Sequence, residues 1–124
     1  LSKKLLIVMR CTHYSGYISD KAEQKRLGNL AFKIGRDFYS GWKNGKIKEI
    51  DWRTTVPMLF ALHAGGPSID FQFGRIWQHV KEKVYDDLGN DLASKGCEDC
   101  RWDKKLRTYR MEKYYKDSNC ELIE

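Results

Sequence analysis

Residues 68–95 narrow the choice of fold more than any other stretch. Ile69, Phe73, Ile76, Trp77, Val80, Val84, Leu88 and Leu92 recur there at three- and four-residue steps, the period of a helix with one buried face. Gln72, Arg75, Gln78, Lys81, Glu82, Asp86 and Asp87 lie between them and define a wet face. Gly65-Gly66-Pro67-Ser68 opens the segment as a turn followed by an N-cap residue, and Asp70 suits the positive end of the helix dipole. Lys95-Gly96 supplies the stop. At ~1.5 Å per residue this helix is roughly 35–40 Å long, enough to cross a small sheet. Gly74 and Gly89 each weaken it by about 1 kcal/mol relative to alanine, so a break near Gly89-Asn90 is compatible with the pattern.

The other segments are read as elements that pack against this stripe. Leu5-Leu6-Ile7-Val8-Met9 is a continuous apolar run of strand length, expected at the centre of a sheet. Asp20, with Glu23 three residues on, forms a capping-box start for a helix. Its inner stripe is Leu27, Leu30, Ala31, Ile34, Phe38 and Trp42, and Asn44-Gly45 ends it. Residues 46–52 read as an edge strand, interrupted by Pro57. Residues 58–63 form a second apolar run, either a strand or a helical turn. Residues 105–116 alternate loosely, with Tyr109, Met111 and Tyr115 on one side, and read as a half-exposed strand whose Tyr109 and Tyr115 face the core. The resulting expectation is α+β: a single compact domain over residues 1–124, with two helices on one face of an antiparallel sheet in the ferredoxin-like βαββαβ order.

A chain of 124 residues should bury roughly two-thirds of its unfolded surface without staples, so its four cysteines call for a reason. Cys11, Cys97, Cys100 and Cys120 admit three complete pairings. In the expected sheet the first and last strands are neighbours, which favours Cys11–Cys97 with Cys100–Cys120, closely followed by Cys11–Cys100 with Cys97–Cys120. Disulfides imply an oxidising compartment, hence secretion. Cys97-x-x-Cys100 also has the spacing of half a zinc site, with Cys11, His13 or Cys120 as further ligands, but no second paired spacing completes it. A redox pair normally opens a helix, whereas this one follows a helix's end. No metal and no cofactor are expected.

Twenty-three Lys and Arg against seventeen Asp and Glu give a formal charge of +6, which favours anionic partners. No apolar run reaches the ~18–20 residues of a membrane span, and Leu5-Leu6-Ile7-Val8-Met9 is too short for a signal-peptide core. Nucleophile-elbow, phosphate-loop and His-Glu-x-x-His motifs are absent from the sequence, as are the lysine-rich cysteine motif of pancreatic-type ribonucleases and the His-Asp-x-Cys signature of secreted phospholipases. Of His13, His63 and His79, His13 is the strongest catalytic candidate. Paired with a second histidine or an acid such as Glu49 or Asp51, it could serve acid–base hydrolysis of RNA. The overall reading leans away from an enzyme. The densest cationic and aromatic cluster is Arg101, Trp102, Lys104, Lys105, Arg107, Arg110, Lys113 and Tyr114, residue types that combine phosphate contacts with stacking.

In expected architecture and cysteine use the chain resembles the small secreted ferredoxin-like toxins and virulence effectors of fungi, including the killer toxins of smut fungi. The resemblance spans the whole chain and rests on no motif. It implies a secreted, disulfide-stabilised basic protein acting as a toxin or effector, which binds a protein or anionic surface in or on another cell. The alternative is an RNA- or nucleic-acid-binding domain with weak ribonuclease activity through His13.

Overall fold

A computed structural model describes residues 1–48, 57, 58, 60, 66–94, 97 and 99–124. The described residues form four α-helices and two short 3₁₀ turns and contain no strand. The helices are α1 (Ser2–Tyr17), α2 (Lys21–Lys43), α3 (Ile69–Ala93) and α4 (Lys104–Asp117). One 3₁₀ turn, Asp99–Trp102, leads into α4, and the other, Cys120–Leu122, follows it. The ferredoxin-like α+β sandwich is therefore not the fold, and the architectural resemblance to the fungal toxins falls with the sheet.

The first and last segments read as strands are helical for identifiable reasons. A short apolar run has no periodicity of its own, and Leu5, Val8, Met9 and Thr12 extend it at helical steps into α1, where all four are buried. Thr12 Oγ1 donates to the Val8 carbonyl at 2.8 Å and Ser15 Oγ to the Thr12 carbonyl at 2.9 Å. These bonds satisfy hydroxyls that would be costly to bury unpaired. In α4 only Met111 is fully buried. Its inward side is otherwise made by Arg107, Arg110, Tyr114 and Tyr115, which cover apolar surface with their stems and rings while their polar ends reach partners. Such an inner face carries no helical stripe of apolar residues. Twelve of the eighteen residues of the hairpin expected over 46–63 lie outside the described residues. Within it, Phe60 is buried and its N–H donates to the Pro57 carbonyl at 3.0 Å.

The two longest helices follow their sequence signals. Asp20 accepts from the Glu23 N–H at 3.1 Å and caps α2, although the Glu23 side chain turns to Arg26 rather than back to the cap. Ser68 accepts from the Phe71 N–H at 3.1 Å and caps α3. Helix α3 runs unbroken through Gly89. Gly45, at φ +70°, occupies the left-handed region just beyond α2, where glycine carries no Cβ penalty.

The short link between α1 and α2 makes them antiparallel neighbours, and α1 also contacts α3 and α4. Helix α1 is thus the hub. Its Leu5, Val8, Met9 and Cys11 meet Leu27, Ala31, Ile34 and Phe38 of α2, Ile76, Val80, Val84, Leu88 and Leu92 of α3, and Met111 of α4 in one continuous core. Burying each large aliphatic side chain contributes about 1.5–3 kcal/mol against exposure.

The cysteines adopt the pairing that the expected sheet disfavoured: Cys11–Cys120 and Cys97–Cys100. The first ties the middle of α1 to the turn after α4, with both residues fully buried. Beside it Arg26 donates to the Ile123 and Cys120 carbonyls and to both Glu23 carboxylate oxygens. Tyr115 Oη donates to the same carboxylate. Hydrogen bonds from Arg26 and Tyr115 hold the Glu23 carboxyl down at about 2.

Candidate functional site

At ~100° per residue, Lys105, Tyr109, Glu112, Lys113 and Lys116 share the outer face of α4. All five are exposed, and the Tyr109 ring is 66% exposed. Lys104 and Thr108 flank this stripe and, with Lys105, Tyr109 and Glu112, line a shallow open depression. Trp102, 73% exposed, stands in the 3₁₀ turn just before the helix. The face is therefore two exposed aromatic rings set among Lys104, Lys105, Lys113 and Lys116.

Two arginines fix the tryptophan end. The guanidinium carbons of Arg101 and Arg107 lie 5.4 and 5.6 Å from the Trp102 ring centroid, within cation–π range. Arg107 Nε donates to Tyr17 Oη at 3.1 Å and Nη1 to the Arg101 carbonyl at 2.9 Å. The Arg107 guanidinium carbon also lies 5.8 Å from the Tyr17 ring. Tyr17 packs 5.9 Å from Tyr85 of α3, over which Lys81 sits at 5.9 Å. The Arg101 stem runs across Gly89, where a Cβ would meet its Nε at 3.1 Å, so glycine at that position lets the turn lie close against α3. The result is a continuous run of aromatic rings and cations from Lys81 through Tyr85, Tyr17 and Arg107 to Trp102.

The eight residues singled out from the sequence divide into two groups. Trp102, Lys104, Lys105 and Lys113 are exposed on this side, and half-buried Arg101 borders it. Arg107, Arg110 and Tyr114 instead join α4 to the rest of the fold. Tyr114 Oη donates to Asp91 Oδ2 at 2.6 Å. Arg110, its side chain 15% exposed, forms a 3.2 Å ion pair with the same oxygen, without a hydrogen bond from its Nε. Burial, reinforced by the bond to Asp91, raises the Tyr114 phenol well above its ordinary value. Tyr109, expected in the core, is the surface residue missed by the strand reading. The i, i+4, i+8 spacing of Lys105, Tyr109 and Lys113 gathers on one face of a helix and of a strand alike, so it does not separate the two. On a strand Tyr109 shares its face with Met111 and reads as inward, whereas on α4 it lies opposite Met111.

His13 stands away from this face. It is 6% exposed between α1 and α3, with its ring edge-on to Trp77 at 4.7 Å. Burial lowers its pKa to about 4, opposed by a backbone hydrogen bond at Trp77 and assisted by Lys81. The imidazole is thus a neutral, packed group. Its suggested partners Glu49 and Asp51, like His63, lie outside the described residues, and His79 Nδ1 is 3.8 Å from Glu82. Among the described residues no three His, Cys, Asp or Glu converge on a metal position, and no helix is long and apolar enough to cross a membrane. Comparison with protein-family models, curated proteins and solved structures gives no match.

Proposed function

We propose that this protein is a disulfide-bridged helical binding module that works outside the reducing cytosol. It docks an acidic protein surface, in or on another cell, against Trp102 and the outer face of α4. The observation that carries the reading is the exposure of Trp102 and Tyr109 within a lysine-rich face whose neighbouring arginines are held in place. Large aromatic side chains with adjacent cations are the groups that concentrate binding energy at protein interfaces. An excess of positive charge speeds encounter with an acidic partner. The two disulfides support an oxidising compartment.

The simplest test titrates the protein with an acidic polypeptide, poly-glutamate, and with a single-stranded RNA oligonucleotide, following binding by the fluorescence anisotropy of the labelled ligand and Trp102 by heteronuclear NMR. Saturable binding of the polypeptide should perturb Trp102 and Tyr109, and K105E/K113E should abolish it. RNA bound more tightly than the polypeptide, with affinity falling by orders of magnitude between ~50 and 200 mM salt, would replace this reading with the nucleic-acid one. Binding of neither ligand, or binding unaffected by K105E/K113E, would remove α4 as the site.

A further inference from the structure

The two disulfides differ in a way that separates a structural bond from a chemically addressable one. Cys11 and Cys120 are fully buried, between the hub helix and a chain end pinned by Arg26, so an external thiolate has no line of attack. Cys97 and Cys100 are both partly exposed and are three positions apart. Their turn is closed by main-chain bonds that do not need the sulfur bridge: the Cys100 N–H donates to the Cys97 carbonyl at 3.2 Å, and the Asp103 N–H to the Cys100 carbonyl at 3.2 Å. Arg107 braces the same turn through the Arg101 carbonyl, and the Arg101 stem rests on Gly89. With the bridge open, these contacts would keep the two cysteines close enough to close it again.

The stretch around the pair carries more cations than acids. Residues 97–107 carry Arg101, Lys104, Lys105 and Arg107 against Glu98, Asp99 and Asp103. The Asp103 carboxylate is engaged at the α4 N-cap, accepting from the Leu106 N–H at 3.0 Å. The Cys100 main-chain carbonyl accepts from the N–H of that cap residue, so the pair lies just ahead of α4 in the chain. Partial exposure with local positive charge is the setting in which cysteines react, whereas buried cysteines stay inert.

We propose that Cys97–Cys100 is a thiol–disulfide exchange site open to external thiols, with Cys11–Cys120 as the closed structural bond. A thiolate of the external thiol attacks one sulfur of the pair. The Cys97–Cys100 bond breaks, a mixed disulfide forms, and the other cysteine leaves as a thiolate. A second external thiolate then attacks the external sulfur of the mixed disulfide. The external thiols end as a disulfide, having given up two electrons and two protons, and Cys97 and Cys100 end as two thiols that have gained them.

The test incubates the full oxidised chain under native conditions with reduced glutathione or, separately, with a reduced peptide dithiol. The reaction is quenched with an alkylating agent and mapped by mass spectrometry. The expected result with at least one thiol is loss of the Cys97–Cys100 crosslink with the Cys11–Cys120 crosslink retained, helical circular dichroism unchanged, and a matching amount of external disulfide. Reaction with glutathione identifies a site open to small thiols. Reaction with the dithiol alone identifies one that selects substrates able to resolve the mixed disulfide intramolecularly. The C97S/C100S variant, which keeps Cys11–Cys120, should oxidise neither thiol. Reduction of both bridges together, survival of Cys97–Cys100 until the protein unfolds, or undiminished thiol oxidation by the variant would overturn the proposal.

Discussion

Removing the Cys11–Cys120 bridge should be far more damaging than removing Cys97–Cys100, and the difference follows from where the two bonds sit. The bridged residues are 109 and 3 positions apart respectively. In the chain-entropy relation, the long bridge removes about 16 cal/mol/K from the unfolded ensemble, or about 4.8 kcal/mol at 25 °C, and the short one about 2 kcal/mol. An unfolding entropy of about 2.1 cal/mol/K per residue amounts to about 260 cal/mol/K for this chain. The double variant C11A/C120A should therefore melt about 18 °C lower than the parent, and C97A/C100A at most about 8 °C lower. Loss of two buried sulfurs adds to the first figure, while the main-chain closure of the second turn reduces the second. Differential scanning calorimetry of the two variants and the parent, all without reductant, measures both shifts. Equal losses, or a larger loss for C97A/C100A, would refute the assignment of Cys11–Cys120 as the bond that holds the fold, and peptide mapping of the parent checks the pairing directly.

Three further outcomes follow from the packing. Because the folded His13 pKa is about 4 against 6.5 for the free side chain, the unfolded chain binds more protons between those values. His13 therefore leaves stability intact above pH 6.5 and erodes it as pH falls to 4, by up to about 3 kcal/mol. Urea melts at pH 7 and pH 4.5 should show that fall, and His13→Leu should shrink it; an unchanged pH dependence would contradict a buried neutral imidazole. Asp91→Ala strips Tyr114 and Arg110 of their shared partner and should cost about 2–4 kcal/mol, read as a lower urea midpoint. The glycines of α2 and α3 should part in sign. Gly74→Ala meets nothing within 4 Å and should stabilise by about 0.5–1 kcal/mol, whereas a Cβ at Gly35 falls 2.4 Å from Phe73 Cδ2 and should cost about 1–3 kcal/mol. Thermal melts of the two single variants decide it.

Local chemistry by itself determined α2 and α3. Their stripes are apolar at every inward position, and their starts carry hydroxyl or carboxylate caps, so Asp20, Asn44-Gly45 and Ser68 marked their limits. Trp102 and its lysine neighbours were also legible as a cationic, aromatic cluster, although their exposure on a helix face was not. Tertiary structure decided the rest. Leu5-Leu6-Ile7-Val8-Met9 suits a central strand and a central helix equally until three other helices surround it. Helix α4 conceals its phase because Arg107, Arg110, Tyr114 and Tyr115 hold its inner side, and a face that satisfies its polar ends on Tyr17, Asp91 and Glu23 shows no apolar period. With α4 misread as a strand, Tyr109 was placed in the core and Cys120 far from Cys11. Short-range signals report what one residue and its near neighbours prefer. Which cysteine meets which, and which cation is a contact surface rather than a brace, depends on groups brought together from distant parts of the chain, and only the packed structure places them.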